Sequence, residues 1–179
     1  MLNFIYLILG LCVLGALVMI VYAYLKPTDN TCVVPDERTA LKLEAIDHDK
    51  AVFSFLVPMR NTSDQIAAVT DAFVRPYLPQ EQFPDAVCWG RLELETARRD
   101  DNYFEAVIMN PNDERNLVVT LVLQARNGKD IREVLRHMVD MDVCIYITGV
   151  GRKEHYVRRA YITVYGADMA NLAGGNYNG

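Results

Sequence analysis

Apolar residues fill the start of the chain almost completely. From Phe4 to Leu25 no residue is charged, and a helix of this length, rising about 1.5 Å per residue, covers a hydrocarbon core of roughly 30 Å. Lys26 and Pro27 end the run. Amphipathic rings that suit the headgroup level lie near its ends, at Tyr6, Tyr22 and Tyr24. The pattern predicts a single transmembrane helix, Phe4–Leu25, behind a stub of residues 1–3.

Two other roles for this segment fit its sequence less well. A cleaved secretory signal has a basic N-terminal region, a shorter apolar region and a small-residue cleavage site, and the sequence has none of these. A lipoprotein signal would use Cys12, but the bulky Leu11 precedes it where a small residue is expected. We therefore expect an uncleaved signal-anchor and a single-pass membrane protein.

Charge and cysteine usage indicate which side of the membrane holds the rest of the chain. Only the α-amino group precedes the helix, whereas three cations follow it: Lys26, Arg38 and Lys42. Because cytoplasmic flanks are richer in Lys and Arg, this asymmetry favours a cytoplasmic domain. Three cysteines outside the helix form no CxxC pair, which suits free thiols: Cys32, Cys88 and Cys144. On the other side of the membrane, a Cys88–Cys144 disulfide remains open.

Beyond the helix the hydrophobic pattern becomes that of a β protein. Residues 26–39 are polar, contain two prolines and lack periodicity, which predicts a stalk. From Ala40 onward, turn residues separate short β-prone runs. The predicted strands are residues 40–46, 51–59, 66–74, 89–96, 103–109, 117–125, 143–148 and 156–165. We expect Arg75–Pro79 to end the third strand, because its prolines lack the amide donor of a ladder.

Two of the turns predict hairpins. Residues 103–109 and 117–125 flank Asn110–Asp113, whose residue types tolerate tight backbone geometry. Asn61–Asp64 has the corresponding place after the second predicted strand. We therefore expect two similar hairpins that pack face to face.

One helix interrupts the strands. Asp130 is a predicted N-cap, with Glu133 three residues later as in a capping box. Four apolar residues share one face of this helix: Ile131, Val134, Leu135 and Met138. The predicted fold is an antiparallel β-sandwich of seven or eight strands with one short helix, spanning residues 40–166. Residues 167–179, rich in Gly and Asn, are predicted to be a disordered tail.

The alternating strand followed by Asn110-Pro111-Asn112 carries a family resemblance. From Tyr103 to Leu123 the sequence resembles the membrane-anchored β-sandwich domains of the late-embryogenesis-abundant type 2 (water-stress) group. The resemblance implies a noncatalytic β-sandwich, with no active-site residues to transfer to this chain.

The residue types that most often carry catalysis form no recognisable pattern. His48, His137 and His155 are far apart and lack metal-ligand spacing, so we expect no metal and no cofactor. The sequence contains no nucleophile elbow, phosphate-binding loop or SxxK motif. Gly149–Gly151 lacks the third glycine of a dinucleotide fingerprint and leads into a strand, which predicts a hairpin turn.

One cluster of positive charge lies in this acidic chain. The net charge of −5 and the pI near 5.2 argue against nucleic-acid binding, which depends on neutralising phosphates. The cluster consists of Arg152, Lys153, His155, Arg158 and Arg159. On a domain tethered to a bilayer, it is a candidate contact for anionic lipid headgroups or an acidic partner. A solvated hairpin paired with neighbouring carboxylates is the simpler interpretation.

These features favour a noncatalytic, membrane-tethered interaction or structural module, with the lipid bilayer and a protein as its partners. One alternative is an enzyme or small-ligand binder with an unrecognised pocket around Cys88, Trp89 and His155. Another is an accessory subunit that assembles through small residues in the middle of its membrane helix: Gly10, Cys12, Gly15 and Ala16.

Overall fold

The N-terminal helix stands apart from the folded domain. The computed structural model describes residues 2–25, 30–99, 101, 103–151 and 155–174, with side chains from Phe4 onward. Helix α1, Leu2–Leu25, includes the segment Phe4–Leu25, which is long and apolar enough to cross a membrane. The described side chains of α1 are exposed, so the domain does not bury its apolar surface.

The rest of the described chain forms nine strands and two further α-helices. The strands are β1 Thr31–Val33, β2 Lys42–Ile46, β3 Lys50–Asn61, β4 Ala67–Tyr77, β5 Ala86–Leu94, β6 Val107–Met109, β7 Glu114–Ala125, β8 Met141–Val150 and β9 His155–Val164. The helices are α2 Ile131–Leu135 and α3 Gly166–Leu172, and Pro35–Glu37 forms a turn of 3-10 helix.

Two antiparallel sheets form a β-sandwich, which confirms the predicted fold class. Sheet A has the order β1–β3–β7–β5. Strands β1 and β2 both pair with the edge of β3 that faces away from β7, each with a different half of that edge. Sheet B has the order β6–β4–β8–β9. At one side of the sandwich β5 lies against β4, and at the other side β1 lies near β9.

Alternate residues of each strand fill the space between the sheets. In β3 the buried residues are Phe53, Phe55, Val57 and Met59, and in β7 they include Leu117, Val119, Leu121 and Leu123. Sheet B contributes Val69, Ala72, Val74, Val143, Ile145 and Ile147 to the same core. This period of two separates an inner and an outer face on every long strand.

Helix α2 forms as the sequence predicts. The Asp130 carboxylate accepts a hydrogen bond from the backbone amide of Arg132 at 2.7 Å, which satisfies one of the free amides of the first turn. The predicted apolar face is buried against the core: Ile131, Val134, Leu135 and Met138.

The hairpins predicted at Asn61–Asp64 and Asn110–Asp113 do not form, whereas β8 and β9, which flank the hairpin turn predicted at Gly149–Gly151, pair antiparallel. Strand β6 pairs with β4 in sheet B, whereas β7 pairs with β3 and β5 in sheet A, so Asn110–Asp113 connects the two sheets. Asn61–Asp64 likewise leads from β3 in sheet A to β4 in sheet B. The two connections meet where the Asn61 side-chain amide donates to the Asn110 carbonyl at 3.1 Å. Because Asn61 is buried, its side chain holds the two crossings together.

Strand β4 continues through Pro76, so the predicted end of this strand is wrong. Pro76 lies opposite Val143 of β8. The Thr148 carbonyl of β8 accepts a hydrogen bond from the Thr70 hydroxyl of β4. This indicates that Thr148, and every second residue of β8 counted from it, directs its backbone N–H and C=O groups toward β4. Val143 is out of phase with them, so the Pro76 nitrogen points away from β8. On that far edge β6 pairs only with Ala67–Val69, and the proline removes no ladder donor.

The folded domain extends further at both ends than predicted. In the predicted stalk, β1 pairs with β3, although three residues are too short a run to show periodicity. In the predicted disordered tail, α3 is folded and buries Met169 and Ala170. A Cβ atom at Gly166 would lie 2.0 Å from the Met138 carbonyl oxygen, so the close approach of α3 requires glycine there.

Candidate functional site

Much of the outer face of sheet A is covered by the chain's own groups, although Trp89 of β5, opposite Val122, is 42% exposed. Residues that point away from the core are nevertheless buried: Ser54, Val118, Thr120 and Val122. The Glu93 side chain, 4% exposed, lies on the same face. Its carboxylate accepts from the backbone amide of Arg99 at 2.8 Å and lies 3.5 Å from the Arg91 guanidinium. Internal partners therefore satisfy the Glu93 carboxylate, although the buried Arg91 Nε has no hydrogen-bond partner among the described residues.

The outer face of sheet B is open to solvent. Six residues define what we call the aromatic–arginine face: Phe73, Arg75, Tyr77, Tyr146, Arg159 and Tyr161. Phe73 is 44% exposed and stacks on Tyr146, with ring centroids 4.7 Å apart. Within the described parts of the chain, neither Arg75 nor Arg159 forms an ion pair. The face therefore presents aromatic surface together with two arginines outside any ion pair, and the exposed Asp71 and Asp142 lie at its two ends.

A buried cysteine lies beneath this face. The register places Cys144 between Arg75 and Tyr161, and its side chain is fully buried. A hydrogen bond with the Tyr77 hydroxyl, at 2.8 Å, and then one with the Cys144 thiol raise the pKa of Tyr146 to about 12. A hydrogen bond with the same thiol raises the pKa of Tyr161. Both phenols are therefore neutral at physiological pH and do not offset the arginines.

Strand β9 borders the aromatic–arginine face and exposes one backbone edge. The Thr163 carbonyl accepts from the Arg38 guanidinium at 3.4 Å, on the side away from β8. Successive residues of a strand direct their backbone groups to opposite edges. Three residues in phase with Thr163 therefore also direct their N–H and C=O groups away from β8: Val157, Arg159 and Tyr161.

A cleft of about 540 Å³ separates β9 from β1. Its apolar floor is formed by Ile145 and Ile147 of β8, and its far wall by Cys32 and Val33 of β1. We call it the β9 cleft. At one end the Arg158 side chain crosses it and donates to the Thr31 carbonyl at 2.5 Å.

A second recess adjoins the β9 cleft at Tyr161. This recess has a volume of about 810 Å³ and lies between the Pro35–Glu37 turn and α3. Polar side chains line it, including Asp36, Asp168 and Asn171. Because Tyr161 lines both spaces, they adjoin each other along β9.

The predicted basic cluster divides between the two sides of β9. His155 and Arg159 are exposed on the outer side. Arg158 instead lies on the inner side, where it donates to the Asn30 side-chain oxygen at 3.0 Å and lies over the Tyr156 ring. Arg152 and Lys153 lie outside the described residues.

The residues of the predicted catalytic pocket are not brought together. Cys88 and Trp89 lie on β5, next to β4, whereas His155 lies on β9, which β8 separates from β4. Burial raises the pKa of the Cys88 thiol to about 12, so the thiolate needed for nucleophilic attack is scarce at neutral pH. Among the described residues, no three His, Cys, Asp or Glu side chains are grouped to hold a metal ion.

Sequence reasoning does not single out the aromatic–arginine face, because its members come from three strands that are distant along the chain. A local signal is nevertheless present. Tyr146 alternates with the buried Ile145 and Ile147, and Phe73 is followed by the buried Val74. Aromatic rings at the outward phase of a strand indicate apolar surface that the core does not use.

Comparison with known proteins finds likeness of shape but not of sequence. The chain matches no protein-family model and no curated protein, so the resemblance of Tyr103–Leu123 to the late-embryogenesis-abundant type 2 group stays a prediction. A Bordetella pertussis protein bearing the name ApaA is 12% identical, covers 78% of this chain and 95% of its own, and has a TM-score of 0.47. The GAE domain of GGA2p from Saccharomyces cerevisiae is 8% identical, with coverages of 76% and 99% and a TM-score of 0.37. An Archaeoglobus fulgidus protein is 11% identical, with coverages of 77% and 98% and a TM-score of 0.29. At scores this low, none of these likenesses assigns a family or a function to the chain.

Proposed function

We propose that this protein is a noncatalytic, membrane-tethered interaction module that binds an extended protein segment along β9. Helix α1 holds the domain at the bilayer, and the cations after the helix favour the cytoplasmic side. The observation that carries the proposal is the outer edge of β9, which directs backbone groups between the β9 cleft and the aromatic–arginine face. A segment that adds there as a strand gains main-chain hydrogen bonds along the edge.

The two sides of β9 specify the chemistry of this partner segment. Side chains of an added strand alternate between the inner and outer sides of sheet B. Those on the inner side enter the β9 cleft, where the floor of Ile145 and Ile147 favours apolar groups. Those on the outer side lie beside Arg159, where opposite charge stabilises a cross-strand pair. The partner is therefore an extended segment of alternating apolar and acidic residues.

Cys32 provides a native probe of the β9 cleft. The full chain would be reconstituted into phosphatidylcholine nanodiscs, and alkylation of Cys32 followed by mass spectrometry. Two synthetic peptides of the same composition would be added, one with alternating valine and glutamate and one with the same residues in two blocks. We expect only the alternating peptide to slow alkylation, because it alone places apolar side chains into the cleft while its glutamates meet Arg159.

Two charge-reversal variants distinguish a specific contact with Arg159 from nonspecific electrostatic attraction between the acidic peptide and the domain. Arg159→Glu should abolish the protection of Cys32 by the alternating peptide. Arg132→Glu, at an exposed position of α2, should leave it intact. Equal protection by both peptides, or protection that survives Arg159→Glu, would contradict strand addition at β9.

A further inference from the structure

The chain between α1 and the domain is short, and this limits where the domain can lie. Asn30, five residues after Leu25, is fixed to the sandwich. Its side-chain amide donates to the Thr62 hydroxyl at 2.7 Å, and its side-chain oxygen accepts from Arg158 at 3.0 Å. Five residues span at most about 18 Å even when fully extended. The end of the sandwich that holds Asn30 is therefore within that reach of the end of α1.

Exposed isoleucines are found at this same end. Ile66 and Ile108 are 62% and 65% exposed, although their strand neighbours Ala67 and Met109 are fully buried. Ile108 pairs with Ala68, and Ala68 with Val150 of β8. The isoleucines thus occupy the outer corner of sheet B, at the end where Asn30 enters the domain.

Around this corner a basic group lies beside the apolar side chains, and most of the nearby charges are paired. Val150 pairs with His155, so a basic group lies in the same row of the sheet as Ile108. Nearby carboxylates have cationic partners: Arg60 pairs with both Glu37 and Glu114, and Asp113 lies 3.0 Å from Arg115. Asp64 is the exposed acidic residue of the adjoining connection. Apolar side chains beside basic groups are the combination that peripheral membrane contacts use.

We infer that the domain rests on the bilayer, with Ile66 and Ile108 inserted among the lipid headgroups. The inference rests on the proposed tethering by α1 and adds a fixed orientation to it. Because the link between Leu25 and Asn30 is short, the bilayer is always close to this corner and is the surface that we expect to cover it. Contact at this corner involves the row of His155 and not the rows of Arg159 and Tyr161, beside which the proposed partner segment binds.

Tryptophan fluorescence in nanodiscs tests this orientation. Trp89 is the only tryptophan of the chain, so Trp89→Phe provides a silent background in the full-length protein. Ile108→Trp would be introduced into this background, with Ile66→Trp as a second reporter. Leu172→Trp is the matched control, because Leu172 is an exposed apolar residue, 40% exposed, on α3 at the opposite end of the sandwich. Nanodiscs of phosphatidylcholine and phosphatidylserine, with and without brominated acyl chains, supply the quencher.

We expect brominated lipid to quench the emission of Trp at positions 108 and 66 and to leave that at position 172 unchanged. Equal emission with and without bromine at both isoleucine positions would overturn the inference. Flotation of the same protein with vesicles checks the anchor separately. A chain that fails to float contradicts the tethering itself, whereas one that floats without quenching contradicts only the orientation.

Discussion

On sheet A, outward-facing side chains such as Thr120 and Val122 are buried, and the Glu93 carboxylate is bound by neighbouring groups of the same chain. On sheet B, Phe73 and Tyr161 are about half exposed at equivalent outward positions. Both sheets use their inner faces for one shared core. The two outer faces therefore differ in degree: on sheet A the exposed Trp89 lies beside covered residues, whereas on sheet B several aromatic rings are exposed or partly exposed.

This contrast distinguishes residues that stabilise the folded domain from residues that are available to bind a partner. A covered face with paired charges contributes to the stability of the domain itself. An exposed face of aromatic rings with arginines that have no ion pair has the composition of the residues that dominate protein interfaces. Substitutions on sheet A should therefore lower stability, whereas those on sheet B should affect binding.

The largest effect on stability is expected for Glu93→Ala. The substitution leaves the Arg91 guanidinium and the Arg99 amide without their shared acceptor, which should cost about 2 kcal/mol of unfolding free energy. Urea unfolding of the full chain in detergent micelles, followed by Trp89 fluorescence, measures this loss. Glu95→Ala is the control: Glu95 is exposed and bonds to Asn116 at 2.9 Å, so a change within about 0.5 kcal/mol is expected. Equal losses for the two variants would remove the distinction claimed for the covered face.

A smaller effect is expected for Phe73→Ala on the open face. Phe73 loses its stacking on Tyr146, which is worth about 1 kcal/mol for an aromatic pair, but no buried polar group is left unpaired. The same unfolding measurement applies, and Val157→Ala, on the same outer face and 64% exposed, should be close to neutral. A loss as large as that of Glu93→Ala would mean that the aromatic–arginine face is part of the structural core.

The strands were predictable from sequence, but their partners were not. Alternation is a local property that indicates β3, where Phe53, Phe55 and Val57 share the inner face, whereas β7 is indicated by a continuous β-prone run that is buried on both faces. Pairing depends on distant residues. Asn110–Asp113 has the composition of a hairpin turn, yet β6 binds β4, which lies far back in the chain, and the turn crosses between sheets. Strand β1 is too short to show periodicity, and only its pairing with β3 defines it as a strand.

The candidate site was predictable only in part, for the same reason. The basic residues His155, Arg158 and Arg159 are close in sequence and can be recognised as a cluster. Their division between the two sides of β9 follows from strand phase, which places Arg158 against Asn30 and Arg159 in solvent. The stacking of Phe73 on Tyr146 depends on the register of β4 against β8, which no local pattern encodes.

The smallest expected effect concerns the protonation of Tyr146 and would show whether the hydroxyls of Tyr77 and Tyr146 on the aromatic–arginine face are in contact in solution. Tyr146 has a pKa of about 12 in the folded protein, against about 10 for an unfolded tyrosine. Between pH 10 and 12 the unfolded chain therefore releases a proton that the folded chain retains. This contribution to stability is fully present below pH 10 and declines as the pH rises toward 12.

Absorbance titration of the phenolate band measures this pKa, with Tyr146→Phe subtracted to isolate the residue. Tyr77→Phe should move the titration of Tyr146 toward lower pH, because the hydrogen bond between the two hydroxyls is the largest cause of the shift. Tyr103→Phe, on the connection outside the face, should leave it in place. If the titration of Tyr146 is unchanged in Tyr77→Phe, the two hydroxyls are not in contact in solution. The open face would then be a set of independent side chains, and the contrast with the bonded face of sheet A would be sharper than the structure indicates.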